Sequence, residues 1–337
     1  MKQAGSRVRK PSFAPTGQKR KSSMTEPLAL VGRMDAAEET AWLDALAAAL
    51  PGESVAPFRA LDAQARARTE IAIVANPDPA EVRALPRLAF VQSLWAGVER
   101  LVGELGPGAP PIVRLVDPSM SRVMAESVLA WTYYLQRDMP AYARQQRSRV
   151  WAPLPYRKPR SMTVGVLGLG ALGAAAASRL LDAGFTVAGW SRSAKALPGV
   201  ETYVGDDGMT ALLARSDIVV CLLPLTAETR GLLDARRFAE MKPGAALINF
   251  GRGPIVVAGD LIRALETGAV SHAVLDVFDE EPLAPDSPLW TRPDVTVLPH
   301  VTGPTDMESA AAVVASNVLA YRATGRLPRQ VDLMRGY

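Results

Sequence analysis

Arg252 stands between two glycines, Gly251 and Gly253, directly after the apolar run Ala245 to Phe250. An arginine in that setting has a backbone free to approach a ligand and a fork-shaped cation that grips a carboxylate. Three acids, Asp279, Glu280 and Glu281, then precede Pro282, and His300 follows Leu298-Pro299. The chain has two histidines. His272 precedes the apolar run Ala273 to Phe278 and reads as structural or solvent-facing. His300 sits past the end of a strand, where a titratable group can meet a ligand. A cation, an acid and an imidazole on successive strand ends suit one reaction well, hydride transfer to a 2-keto acid. That reaction needs a charge for the carboxylate, a proton donor for the carbonyl oxygen, and an anion that keeps the donor protonated.

A hydride needs a carrier, and Thr163-Val-Gly-Val-Leu-Gly168-Leu-Gly170-Ala171-Leu172-Gly173 provides for one. An apolar strand ends in G-x-G-x-x-G and enters an Ala-rich helix, the arrangement that brings backbone and helix N-terminus to a pyrophosphate. A second strand, Thr186 to Trp190, follows at the spacing of the ribose end, where an acidic residue is common. Here Ser191-Arg192-Ser193 takes that place. A guanidinium and hydroxyls bind a 2′-phosphate that a carboxylate would repel, so the expectation is NADP(H) preferred, with NAD(H) possible. Further cofactor contacts are expected at the next strand ends: Leu223-Pro224 with Thr229, Phe250-Gly251, and Asp276 at the nicotinamide end.

The elements that position these residues read as α/β. Leu28 to Val31, Ile71 to Val74, Leu88 to Gln92 and Ile112 to Val116 are strand candidates in a first unit. A helix spans Met120 to Arg137, and a basic, proline-bearing stretch from Ala141 to Arg160 reads as a solvated linker or subunit contact. Six more strands, Thr163–Leu167, Thr186–Trp190, Ile218–Leu223, Ala245–Phe250, Ala273–Phe278 and Val295–Pro299, alternate with helical stretches, and a last helix covers Glu308 to Ala323. Such alternation predicts doubly wound parallel sheets, whose ligands bind beyond the carboxyl ends of the strands.

A chain of 337 residues suits about two domains. With 48% hydrophobic and 21% charged residues it can bury a large core, and no apolar run is long enough for a membrane span. The single cysteine, Cys221, lies in an apolar run, so a buried thiol and a reducing, cytoplasmic setting are expected. Seven basic residues fall within the first 23, which read as a disordered extension; without them the net charge of +4 becomes −3. A mildly acidic body argues against nucleic-acid binding.

Gly168 to Gly173, Leu223-Pro-Leu-Thr226, Gly251-Arg-Gly253, Asp276-Val-Phe-Asp-Glu-Glu-Pro282 and Pro299-His300 together resemble the D-isomer-specific 2-hydroxyacid dehydrogenases, over nearly everything from Met24 to Tyr337. Trp190-Ser-Arg-Ser193, Pro198-Gly-Val200, Tyr203-Val-Gly205, Ser287-Pro-Leu-Trp290 and the ending Val331-Asp332…Arg335-Gly-Tyr337 are most similar to its bacterial glyoxylate/hydroxypyruvate-reducing branch. The resemblance implies a Rossmann NAD(P)-binding domain (122–304) inserted in a flavodoxin-like substrate domain (24–121 plus 305–337), and a homodimer. It implies that Arg252 binds the substrate carboxylate, that His300 donates the proton, and that Glu281, the acid before the proline, pairs with His300. Trp95-Ala96-Gly97-Val98 would offer backbone N–H groups to the substrate, a small 2-keto acid such as glyoxylate or hydroxypyruvate. Trp95 is bulkier than usual there and is expected to narrow the pocket. The alternatives are a bulkier 2-keto acid on the same site, or a cofactor-sensing, corepressor-like interaction protein; the complete Arg252, Glu281 and His300 set argues against the latter.

Overall fold

The computed structural model describes residues 26–333, 335 and 336. The basic stretch 1–23 lies outside the described residues. Two parallel sheets organise the rest. The first has β1 (Leu28–Gly32), β2 (Val55–Pro57), β3 (Ile71–Ala75), β4 (Phe90–Ser93) and β5 (Ile112–Val113) in the order β2-β1-β3-β4-β5. Between them run α1 (Ala36–Ala49), α2 (Ala63–Arg68), α3 (Pro79–Arg83) and α4 (Glu99–Leu105). Two helices then lead away, α5 (Pro118–Gln136) and α6 (Met139–Ser148).

The second sheet has β6 (Thr163–Leu167), β7 (Thr186–Trp190), β8 (Val200–Tyr203), β9 (Ile218–Cys221), β10 (Ala245–Asn249), β11 (Val270–Leu275) and β12 (Val295–Val297). Their order is β12-β11-β10-β9-β6-β7-β8. The connecting helices are α7 (Ala171–Asp182), α8 (Gly205–Arg215), α9 (Ala235–Glu240) and α10 (Ala258–Glu266), and α11 (Met307–Thr324) follows the last strand. Two doubly wound parallel sheets are what the alternating pattern predicts.

Both faces of each sheet are covered, which explains the near-continuous apolar strands. In β1, Leu28 and Leu30 enter one core, while Ala29 and Val31 enter another on the opposite face. In β9, Val219 and Cys221 go one way, and Ile218 and Val220 the other. Burial pushes the Cys221 thiol up to about 12, so it stays protonated, as its apolar surroundings suggest.

α11 returns to the first sheet. Its Ala310, Val314 and Val318 pack with Trp42 and Leu46 of α1. Asn317 donates to Gln92 Oε1 at 2.9 Å, and Ser309 Oγ donates to Asp117 Oδ2 at 2.7 Å at the start of α5.

Several boundaries move. The stretch from Ala141 to Arg160 is helical in its first part, because α6 runs to Ser148; residues 149–158 form the exposed remainder. β11 begins at Val270, three residues ahead of expectation, so His272 lies within the strand and Asp276 just past it. The register shifts between Ala245 and Ala246, which lets Val270 join the ladder. Strands β2 and β8 were not anticipated; both are short and only partly buried. No helix of the described residues is long and apolar enough to cross a membrane.

Candidate active site

β6 lies between β7 and β9, so the direction of sheet order reverses beside the glycine turn, the place where doubly wound sheets receive ligands. Gly168 has φ +102°, a conformation side chains rarely adopt. At Gly173 a Cβ would lie 1.8 Å from Gly168 O, so the helix can approach the strand only with glycine there. Over Gly170 the space is open, with nothing within 4 Å of a Cβ position. Gly170 and Ala171 are exposed, Leu172 is half-buried, and α7 begins without a side-chain cap. An open first turn with unsatisfied N–H groups fits a dinucleotide pyrophosphate.

Ser191 is buried and donates to Ser193 O at 2.7 Å. Arg192 and Ser193 are exposed, and Arg192 Nη1 lies 3.7 Å from Glu228 Oε2. Leu223 and Phe250 are apolar walls, exposed by 7% and 4%. Thr229 turns its hydroxyl inward: Oγ1 donates to Pro224 O at 2.7 Å and accepts from Thr226 N–H at 2.8 Å. These bonds close the 224–229 turn.

At the end of β10, Asn249 shapes the loop that carries Arg252. Its Oδ1 accepts from Gly251 N–H at 3.2 Å and its Nδ2 donates to Arg252 O at 3.1 Å. Gly253 lies against Phe278, where a Cβ would be 1.9 Å from the backbone carbonyl carbon. That contact locks the Arg252 loop to the loop bearing Glu281.

Glu281 holds two partners. Oε1 accepts from Phe278 N–H at 2.9 Å, and Oε2 lies 2.7 Å from His300 Nδ1. With Nδ1 turned to the carboxylate, Nε2 is the nitrogen left to exchange a proton with a ligand. His300 has φ +53°, unusual for a residue with a side chain, and the loop is held from below. Asp276, buried at 1% exposure, accepts from Val301 N–H at 2.8 Å, Thr302 N–H at 3.0 Å and Thr302 Oγ1 at 2.5 Å. From α5, Ser127 Oγ donates to Thr302 O at 2.9 Å. Asp276, expected at the nicotinamide end, therefore uses its carboxylate to fix the His300 loop.

The first unit contributes the turn after β4. Trp95 N–H donates to Ser93 Oγ at 3.0 Å, and Val98 is buried. The Trp95 indole packs edge-on to Trp42, with ring centroids 6.0 Å apart, in the core beneath α1 and α11. Much of the bulk expected to narrow the pocket is thus taken up by that core. Ala96 and Gly97 are half-buried, and the Gly97 backbone meets the Arg252 guanidinium. Glu99, which the motif reading passed over, lies beside them; an acid two residues past a glycine turn was the available signal.

His272 is not part of the site. It is buried in β11, with Nε2 2.9 Å from Thr296 Oγ1. Among the described residues no group of three or more histidine, cysteine or acidic side chains could hold a metal.

A dinucleotide turn at the switch point, with an arginine and a carboxylate-bound histidine on neighbouring strand ends, defines a nucleotide-dependent dehydrogenase of the doubly wound class. Comparison with known proteins narrows the class. Residues 129–302 match the family described as D-isomer specific 2-hydroxyacid dehydrogenase, NAD binding domain. The chain is 36% identical over 308 residues to the glyoxylate/hydroxypyruvate reductase A of Yersinia enterocolitica, covering 89% of this chain and 97% of that one. A D-isomer specific 2-hydroxyacid dehydrogenase from Xanthobacter autotrophicus Py2, solved with NADPH and MES, superposes with TM-score 0.86 at 40% identity. It spans 93% of this chain and 99% of its own. The NADPH-dependent glyoxylate/hydroxypyruvate reductase of Sinorhizobium meliloti, solved with NADP and sulfate, gives 0.85 at 34% identity, over 93% of this chain and all of its own. The chain belongs to the D-isomer-specific 2-hydroxyacid dehydrogenases, a family of NAD(P)-dependent oxidoreductases.

Proposed function

We propose that this enzyme reduces a small 2-keto acid, glyoxylate or hydroxypyruvate, to the 2-hydroxy acid with NADPH in preference to NADH. The observation that carries the reading is the 2.7 Å contact between His300 Nδ1 and Glu281 Oε2 on the strand-end loops beside Arg252. In this reading Nε2 of His300 gives the proton to the carbonyl oxygen. Glu281 holds the ring in that orientation through its contact with Nδ1. Arg252 anchors the substrate carboxylate, helped by backbone N–H groups of Trp95 to Val98. Asp276 keeps His300 in its unusual backbone conformation. When bound, the nicotinamide supplies the hydride.

Gly168, Gly170, Ala171, Leu172 and Gly173 would hold the pyrophosphate, and Leu223, Pro224, Thr229, Phe250 and Gly251 would wall the remainder. Ser191, Arg192 and Ser193 would take the 2′-phosphate, Arg192 exchanging its contact with Glu228 for the phosphate. The relatives' names and their NADP-bound structures support both substrate and cofactor. The same reading assigns 24–121 plus 305–337 to the substrate and 122–304 to the nucleotide, in a cytoplasmic enzyme.

A homodimer belongs to this proposal. Val150, Trp151, Leu154 and Tyr156 follow α6 and are exposed, Trp151 by 98%. A second copy of the chain is the cover proposed for them. Light scattering should give twice the chain mass; a monomer at all concentrations would remove this part.

The test is the initial rate with glyoxylate, hydroxypyruvate, pyruvate and a branched 2-keto acid, each with NADPH and NADH. Fast reduction of the first two with NADPH is expected. Turnover of only the branched acid would change the substrate, and none with any pair would refute the reductase. Arg192→Ala should reduce the NADPH-over-NADH preference about tenfold or more, since a charge-assisted hydrogen bond is lost. An unmoved ratio would take Arg192 out of cofactor choice.

A further inference from the structure

Glu99 opens α4, immediately after the substrate-facing turn, on the first unit. Its Oε1 lies 3.4 Å from Arg252 Nε, which comes from the loop after β10 in the second unit. The pair therefore bridges the two sheets. Neither partner is fully in water, with side-chain exposures of 32% for Arg252 and 22% for Glu99. A partly desolvated charge needs its partner more than a surface one does. The helix N-terminus also favours a carboxylate at the position of Glu99.

Two more contacts fix the guanidinium. Nη1 donates to Gly251 O at 2.7 Å. Nη2 lies over Gly97, where a Cβ would meet it at 1.8 Å and Cζ at 3.0 Å; Glu99 Oε2 is 3.0 Å from the same point. One anchor is local, on the residue before Arg252. The other two come from the opposite unit and act only while Arg252 is beside it. An arginine side chain has many rotamers, and a carboxylate on Nε with a carbonyl on Nη1 removes most of them.

We propose that Glu99 is the positioning residue for Arg252. It holds Nε so that Nη2 faces the Trp95–Val98 turn while Nη1 stays on Gly251 O, and it couples substrate anchoring to the approach of the two units. Gly97 is part of the device, because any side chain there would displace the guanidinium. The proposal rests on the reading that Arg252 anchors the substrate carboxylate.

Steady-state kinetics with glyoxylate and NADPH test both layers, on Glu99→Ala, Glu99→Gln, Glu99→Asp, Arg252→Ala and the double variant Glu99→Ala/Arg252→Ala. Glu99→Ala should raise the KM for glyoxylate about tenfold or more, with kcat and the KM for NADPH little changed. Glu99→Gln, which keeps the shape and a hydrogen-bonding oxygen, should fall between, and Glu99→Asp should restore part of the loss. In the double variant the Glu99 change should add nothing to Arg252→Ala. If Arg252→Ala raises KM and Glu99→Ala does not, this inference fails while the anchoring role stands. A lower KM in Glu99→Ala would make Glu99 a competitor for Arg252 and overturn positioning. Equal losses in glyoxylate KM, NADPH KM and thermal midpoint would make its role merely structural. An unchanged KM in Arg252→Ala would remove the anchoring role and this inference with it.

Discussion

The two histidines lie at opposite parts of one β-strand neighbourhood and have opposite surroundings. His272 is inside β11, 5% exposed, against a threonine hydroxyl. His300 is past the end of β12, its side chain 49% exposed, in a positive-φ backbone conformation and against a carboxylate. In His272, burial pushes the imidazole pKa down to about 4, with the charge of Arg144 adding to the effect. What separates the imidazole proposed to work from the structural one is position on the sheet. The body of a parallel strand has no water and no room for ligand, whereas its carboxyl end opens on a crevice.

The largest effect should come from the exposed member. His300→Ala removes the proposed proton donor and should lower kcat by about 10²–10⁴-fold, while NADPH still binds. Fluorescence titration of NADPH beside the turnover assay separates the two. Retained turnover would leave the comparison without a functional pole.

Glu281→Gln should cost less. The amide keeps a carbonyl oxygen that can accept from Phe278 N–H, but the charge facing Nδ1 is gone. Loss of a charge-assisted bond corresponds to a fall in kcat of about ten- to a hundredfold. In His300→Ala the same substitution should add little, because its partner is already absent. Independent losses would mean that Glu281 acts on something besides His300.

The difference between the histidines is legible in the sequence, because one residue stands after Leu298-Pro299 and the other beside an apolar run. The glycine turn and the strand ends are legible for the same reason: local spacing reports them. The pairing of Glu281 with His300 is legible only through the family resemblance, which singles out the acid before the proline from its two acidic neighbours. Contacts made by the fold are not legible. Asn249 looks like the last residue of an apolar strand, and its grip on the Arg252 loop exists only once the chain turns back. Asp276 sits one residue past β11, a position that in the sequence reads as facing the cofactor; its bonds to Val301 and Thr302 require β12 alongside. Glu99 meets Arg252 only because two sheets approach each other. β8, Val-Glu-Thr-Tyr, is an edge strand with no buried residue, so it carries no apolar run to notice.

The smallest effect belongs to His272, and it is one of stability. In the unfolded chain its imidazole takes up a proton near pH 6.5; in the folded chain it resists until about pH 4. Between those values the unfolded state binds more protons, so this residue makes stability fall as pH drops from about 6.5 toward 4. Above about 6.5 both states are neutral and the contribution is flat. His272→Asn should be slightly less stable at pH 7.5, by about 1 kcal/mol for the altered bond to Thr296. Its stability should then decline less steeply between pH 6.5 and 4, by as much as about 1.4 kcal/mol per pH unit, the weight of one proton. Urea midpoints of both proteins at pH 7.5, 6 and 5 decide the matter. Parallel declines would mean that His272 takes up its proton without unfolding, and the contrast with His300 would then rest on place in the sheet rather than on desolvation.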